Sequence, residues 1–329
     1  MKFKKLTSLL AVAVVSTSLV ACSQPATEDK QEESKEPTTQ MVTVSDAKGQ
    51  DIEVEFPTQL DKIVVLNYQT LDFLDSVGMG DKVVGLIKEG TIPEHLKKYQ
   101  EDENIVNVGS MKDLDMEAIM SLEPDAIFSS DRTEKMYEEF AAIAPTFAAY
   151  VDYEKGFMEG YKELAETHSQ IFGVEGEIEE IIAGYDERIA DIAEFAEDKT
   201  ALLGIFAGGL NTLGNEGRAS IVVNEMGFEN LAGEENVNHG NVSSYEAWLE
   251  MNPDYMFVLD KDTAVGKEGS SSAKEQMETN NPVIEQTDAF KNGNIVYLEP
   301  GEAWYMADGG ITSLDLMIES VEDGLGLNK

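Results

Sequence analysis

Between residues 175 and 197 the chain reads EGEIEEIIAGYDERIADIAEFAE. Its apolar residues Ile178, Ile181, Ile182, Tyr185, Ile189, Ile192 and Ala193 recur in steps of three, four and one, with acidic residues filling the other face. That period traces one side of an α-helix. Wholly helical, the stretch would span roughly 35 Å at about 1.5 Å per residue. Before it, short apolar runs at 62–66, 83–87, 126–129 and 147–151 read as strands. Helical patterns follow them at 71–77, 116–122, 134–143 and 156–172. After it, strands at 201–207, 255–259 and 295–298 alternate with helices at 219–226, 245–251 and 311–321. Strands alternating with helices predict doubly wound parallel sheets. The expected architecture is therefore α/β, with lobes at 41–173 and 199–329 and a bridging helix at 174–198. The helix by itself fits equally well inside a single domain, so the two flanking blocks carry the two-lobe reading.

An internal echo supports related lobes. EAIMSLEPDAIFSSDR at 117–132 aligns without a gap to EAWLEMNPDYMFVLDK at 246–261. Each reads as a helix, a Pro-Asp turn, a strand and then a cation. Proline ends the helix and fits the turn. Ligands of open α/β sheets bind beyond the carboxyl ends of the strands. The echo thus places Arg132 and Lys261 at one shared cleft.

The amino terminus changes the picture. Lys2, Lys4 and Lys5 precede an apolar run at 9–20, which ends in Leu19-Val20-Ala21-Cys22. This is the pattern of a secretory signal, and its end resembles a bacterial lipobox. The resemblance implies cleavage after residue 21 and a lipid on the sulfur of Cys22, the chain's one cysteine. Residues 22–40 are almost free of apolar side chains and read as a disordered tether, with a reach of roughly 20–25 Å. No later apolar run is long enough to span a bilayer. The expected location is the extracellular face of the cell membrane, held by lipid.

Net charge is −40, and losing residues 1–21 removes three lysines and no acid, giving −43. Such a chain has no basic stripe for phosphates, which excludes nucleic acid as a partner. Most of its carboxylates read as a solubility device. Cations are therefore informative. Of the three arginines, Arg188 falls on the central helix and is expected on the surface, while Arg132 and Arg218 fall in loops. With Lys261 they compose a candidate pocket for a multiply charged anion. Surface ion pairs are the competing reading for each of them. Of the three histidines, His95 reads as a surface helix start and His168 as a packing or surface residue. His239 lies in a polar loop, where function is commoner. Trp304 and Tyr305, ahead of Gly309-Gly310, read as an aromatic cleft wall in a Gly-flanked loop.

No zinc or manganese ligand cluster is visible. A phenolate and an imidazole could still complete the shell of a metal that arrives chelated. Catalysis finds little support: G-x-S-x-G, H-E-x-x-H and a Gly-rich phosphate loop are all absent, and no permanent cofactor is expected.

LDFLDSVGMGDKVVGL, VGSMKDLDMEAIMSLEPDAIFSSDR, EEFAAIAPT, HGNVSSYEAWLEMNPDYMFVLDKDTAVG, KNGNIVYLEP and AWYMADGG together cover most of the chain after residue 40. In these pieces the chain resembles the siderophore-binding lipoproteins of bacterial ABC iron importers, the ferric-catecholate and petrobactin-binding subgroup of the class III periplasmic-binding-protein family. The Pro-Asp pieces mark the wider class; the HGN-to-TAVG run and the Trp-Tyr segment are more specific. The resemblance implies two lobes on one long helix with little hinge motion, and a monomer that carries a ferric siderophore to an ABC permease. It implies that Arg132, Arg218 and Lys261 surround the catecholate oxygens, with Trp304 beside them. It implies that His239 and Tyr305 ligate iron where the siderophore leaves positions open. Relatives have arginine at the third basic position; Lys261 keeps the charge but not the planar fork. Permease docking through one carboxylate per lobe points to Glu134 and Glu268. The alternatives are the same fold carrying haem, cobalamin or a hydroxamate siderophore, and a surface-anchored hydrolase.

Overall fold

The structure, a computed structural model, describes residues 38–233, 241–279 and 281–328. In the first lobe five strands form a wholly parallel sheet in the order Val106–Asn107, Val83–Leu86, Ile63–Val65, Ala126–Ser129, Thr146–Ala148. The central Ile63, Val64 and Val65 are fully buried. Burial on both sheet faces is why such a strand reads as an unbroken apolar run rather than an alternation. The second lobe has the order Asn241–Val242, Leu210–Leu213, Thr200–Phe206, Tyr255–Asp260, Ile295–Tyr297, with Glu229–Asn230 beside the start of Thr200–Phe206.

This second sheet is mixed, which corrects the expectation of parallel strands throughout. Leu210–Leu213 runs antiparallel to Thr200–Phe206, and Asn241–Val242 antiparallel to Leu210–Leu213. The turn between the first two uses Gly208 and Gly209 at φ +78° and +157°, backbone that glycine reaches without a Cβ penalty. A further hairpin pairs Thr39–Ser45 with Asp51–Pro57, so residues 39 and 40 of the expected tether are strand. Residues 22–37 of that tether, Cys22 among them, lie outside the described residues.

The echo is matched in structure. Glu123 and Asn252, equivalent in the alignment, both turn the chain out of a helix at positive φ, +48° and +44°. The aspartates that follow do the same work. Asp125 Oδ2 accepts from the backbone N–H of Asp61 and Lys62 at 2.8 and 2.9 Å. Asp254 Oδ2 accepts from the N–H and hydroxyl of Thr200 at 2.9 and 2.8 Å. Each fixes the start of its lobe's central strand.

The helix Glu175–Ala196 follows its period: Ile178, Tyr185, Ile189 and Ile192 are buried. Full burial of such side chains stabilises by roughly 1.5–3 kcal/mol each. The Tyr185 hydroxyl donates to the carbonyl of Ile311 at 2.9 Å. Arg188 is no free surface residue. Its guanidinium donates to Glu322 at 2.9 and 2.6 Å and to Asp315, tying this helix to Ile311–Leu325. One apolar cluster runs from Phe128 and Tyr161 in the first lobe through this helix to Phe257 in the second. The described residues form one compact unit.

Two carboxylates cross between the lobes and cap helices that lack side-chain caps of their own. Asp72, on the first lobe's helix Tyr68–Ser76, is fully buried. It accepts from the N–H groups of Thr312 and Ser313 at 2.7 and 2.9 Å and from the Ser313 hydroxyl at 2.6 Å. His95, at the helix start Glu94–Leu96 that its sequence predicts, donates to the same carboxylate at 2.8 Å, so it is a partly buried partner rather than a surface residue. In return Glu225 of the second lobe accepts from Met158 N–H at 3.2 Å, at the start of Phe157–Phe172. A carboxylate at a helix amino terminus meets unpaired N–H groups and the positive end of the helix dipole. His168 is buried among Phe73, Phe128, Phe147 and Phe172. Its Nδ1–H donates to the Leu164 carbonyl, leaving Nε2 to accept from Thr70.

Candidate binding cleft

A cleft of about 880 Å³ opens where strands of both lobes end, near the top of the size range of ligand pockets, roughly 300–1,000 Å³. Leu66, Ile87, Ser130 and Lys261 line it, each the residue that follows a strand. Sheet topology thus aims its ligand-facing loops at one space, as open α/β sheets do.

Arg132 sits on a 3₁₀ turn, Asp131–Met136, begun earlier than the expected helix at 134. The buried Thr133 hydroxyl accepts from Ser130 N–H at 3.2 Å and donates to the Ser130 carbonyl at 2.9 Å, which fixes that turn. Arg132 is exposed and lines the cleft, and among the described residues it has no ion pair. Arg218 is held between Gly217 and Ala219, both at positive φ, +76° and +60°. For alanine that backbone is uncommon and strained. Lys261 opens the helix Lys261–Ala264, capped by Asp260, which accepts from Thr263 N–H at 3.0 Å.

Tyr305 gathers two of these cations. Arg218 lies over its ring at 4.1 Å from the centroid and Lys261 Nζ at 5.6 Å, both within cation–π range. Arg218 also donates to the Tyr305 carbonyl at 2.8 Å. Arg132, Arg218, Lys261 and Tyr305 therefore share one cleft, as the spacing of the echo predicts for two of them.

Tyr305 stands on a helix, Gly301–Met306, not in a Gly-flanked loop; a six-residue helix is too short to show a period. This also corrects Trp304, which is 1% exposed and absent from the cleft lining. Successive helical residues point about 100° apart, so Tyr305 facing the cleft turns its neighbour into the core. Glu134 and Glu268 are exposed and outside the cleft lining. His239 lies outside the described residues.

Sequence reasoning missed an aromatic wall in the first lobe, made by Tyr68, Tyr150 and Tyr153. Burial pushes the Tyr68 hydroxyl up to about 12. It also missed Lys112 and Asp308. The usable signal was position, since Tyr68 and Tyr150 each follow a strand end by two or three residues. In charge the lining holds Lys112, Arg132, Arg218 and Lys261 against Glu89, Asp131 and Asp308. A chain of −40 thus keeps a small positive excess there. Among the described residues no group of three or more His, Cys, Asp or Glu could hold a metal ion.

Two α/β lobes, one long helix and a cleft at the strand ends define a substrate-binding protein of the class III periplasmic type, rather than an enzyme. The chain belongs to the Periplasmic binding protein family, which it matches over residues 63–301. It is 34% identical to the petrobactin-binding protein YclQ of Bacillus subtilis, over 98% of this chain and 99% of that one. The crystal structure of YclQ superposes with a TM-score of 0.78, covering 87% of this chain and 99% of the other. The ferric-anguibactin-binding protein FatB of Vibrio anguillarum is 27% identical over 97% of this chain and 98% of its own. The catecholate-siderophore binding protein VctP of Vibrio cholerae, 27% identical, superposes with a TM-score of 0.77 over 86% of this chain and all of its own.

Proposed function

We propose that this protein captures a ferric catecholate-type siderophore outside the cell and delivers it to an ABC permease. The observation that carries this is the pairing of Arg218 and Lys261 on the ring of Tyr305 in a cleft that Arg132 also lines. A ferric tris-catecholate is a trianion, and three cations, two of them held on the Tyr305 ring, oppose its charge at short range. The named ligands of the relatives, petrobactin, ferric anguibactin and catecholate siderophores, support the same class of cargo.

In this reading the lobes are 41–173 and 199–329, the chain acts as a monomer, and Cys22 carries the lipid that anchors it. Cys22→Ala should move the protein from the membrane fraction to the medium; retention on membranes would refute the anchor. Tyr305 and His239 complete the iron shell of a tetradentate chelate, and Glu134 and Glu268 meet the permease. The double variant His239→Ala with Tyr305→Phe should lose its preference for tetradentate over hexadentate ferric catecholates. Unchanged preference would refute direct ligation.

The deciding experiment is tryptophan fluorescence of the chain beginning at Ser23, titrated with a ferric bis-catecholate. Trp304 is buried one residue from Tyr305, close enough for a coloured iron complex to quench it through space. Saturable quenching at sub-micromolar ligand, absent with haem and with a ferric hydroxamate, is the expected result. A response to either of those cargoes, and none to catecholate, would overturn the cargo class.

A further inference from the structure

Asp308 is a carboxylate in a cleft that this reading assigns to an anion, where it should repel the cargo. It is 6% exposed. Its partners explain its presence. Oδ2 lies 3.8 Å from Arg218 Nη1 and accepts a hydrogen bond from the hydroxyl of Tyr153. Oδ1 receives Gln69 Nε2 at 3.5 Å. Tyr153 and Gln69 belong to the first lobe, whereas Asp308 and Arg218 belong to the second. One carboxylate therefore joins both walls of the cleft at the guanidinium that covers Tyr305.

We propose that Asp308 is a positioning residue of the cleft, holding Arg218 against Tyr305 and fixing that pair relative to the first-lobe wall. The other ties of Arg218 are its bond to the Tyr305 carbonyl and its contact with the Tyr305 ring. An ionic contact between two largely buried groups is screened far less than one on the surface. A guanidinium restrained in advance loses less freedom when an oxyanion arrives, and that is the source of the gain in affinity. Burial and the charge of Asp308 both raise the Tyr153 hydroxyl well above its usual range, so it stays a neutral donor to this carboxylate.

The proposal rests on the anionic cargo above, and it makes a prediction opposite in sign to simple electrostatics. Asp308→Asn removes a negative charge from the cleft while keeping shape, and Tyr153 can still donate to the amide oxygen. If Asp308 only repelled the cargo, the variant would bind a ferric bis-catecholate more tightly. If it positions Arg218, the variant binds more weakly, by roughly threefold or more, the scale of a lost ion pair rather than of a lost hydrogen bond. Asp308→Glu should recover part of the loss, and Tyr153→Phe should show a smaller loss.

A second readout needs no cargo. The chain has three arginines, so selective ¹⁵N-arginine labelling gives three guanidinium signals in the chain from Ser23 onward. Arg188, gripped by Glu322 and Asp315, is the internal reference, and Arg218→Lys assigns the Arg218 signal. Asp308→Asn should speed rotation of the Arg218 guanidinium and leave Arg188 unchanged. An unchanged Arg218 signal, or equal or tighter binding of the ferric bis-catecholate, would overturn the proposal. If the wild-type chain ignores the ferric bis-catecholate, the cargo reading fails, and the arginine signal alone decides whether Asp308 positions Arg218.

Discussion

Replacing Asp72 by asparagine tests whether the crossed carboxylates hold the lobes together. The side chain is fully buried and receives two backbone N–H groups, one hydroxyl and His95. Asparagine keeps the shape but turns one oxygen into a donor that faces other donors. One or two hydrogen bonds to a charged acceptor are lost, at about 1.5–3 kcal/mol each. The favourable placement on the helix terminus, up to ~2 kcal/mol in buried geometry, is lost too. Relief from burying a charge offsets part of this. The net expectation is about 3 kcal/mol of destabilisation, measured by urea unfolding of the chain from Ser23 at neutral pH. Near the melting point this corresponds to a drop of roughly 5 °C. Hydrogen exchange should quicken first at Thr312 and Ser313. Gly310→Ala should have a similar effect from the other side, since a Cβ there would lie 2.4 Å from Asp72 Cγ. A change in Asp72→Asn below about 0.5 kcal/mol, the scatter of surface substitutions, would refute the reasoning.

Three further outcomes follow from the same contacts. Burial lowers His168 to about 4, against about 6.5 in an unfolded chain. The unfolded state binds the extra proton, so this contribution is intact above the unfolded value and is lost as pH falls toward 4, by about 3 kcal/mol in all; His168→Phe should flatten that slope in urea titrations, and an unchanged slope would reject it. Gly160→Ala drives a Cβ to 2.4 Å from the Asp152 carbonyl oxygen; it should shift Tyr153 and weaken cargo binding together with stability, and wild-type values of both would contradict the packing. Because the exterior is acidic and the positive excess is confined to the cleft, association with an anionic cargo should speed up as salt rises from about 0.01 to 0.15 M; a stopped-flow rate that falls instead would show long-range attraction.

What the sequence could disclose follows the range of the interactions. Apolar periods of 3.6 located Glu175–Ala196 and Tyr245–Met251 within a residue or two, because local geometry sets them. Unbroken apolar runs located seven of the parallel strands for the same reason, but not Val106–Asn107 and Glu229–Asn230, which at two residues each carry no pattern. The Gly208-Gly209 hairpin was visible as a turn signal but was passed over, because the four-residue strand after it carries little pattern. Asp72 and Glu225 were not legible at all. Each is one more acid in an acidic chain, and its partners lie 240 and 67 residues away. Trp304 was misplaced because adjacency in sequence was read as a shared face, which a helix forbids.

The three arginines show how far composition carries the argument. In sequence they are alike, scarce cations among many acids. The fold sorts them by partner. Arg188 is saturated by two carboxylates, so its charge is spent inside the structure. Arg218 lies over a ring face, donates to a carbonyl and keeps one carboxylate, Asp308, at 3.8 Å, and Arg132 has no ion pair among the described residues. A ring and a carbonyl hold a guanidinium in place without neutralising it. The capacity to bind an anion therefore lies in how these cations are fixed, and a chain of −40 keeps that capacity where cations outnumber carboxylates, as Lys112, Arg132, Arg218 and Lys261 outnumber Glu89, Asp131 and Asp308 in the cleft.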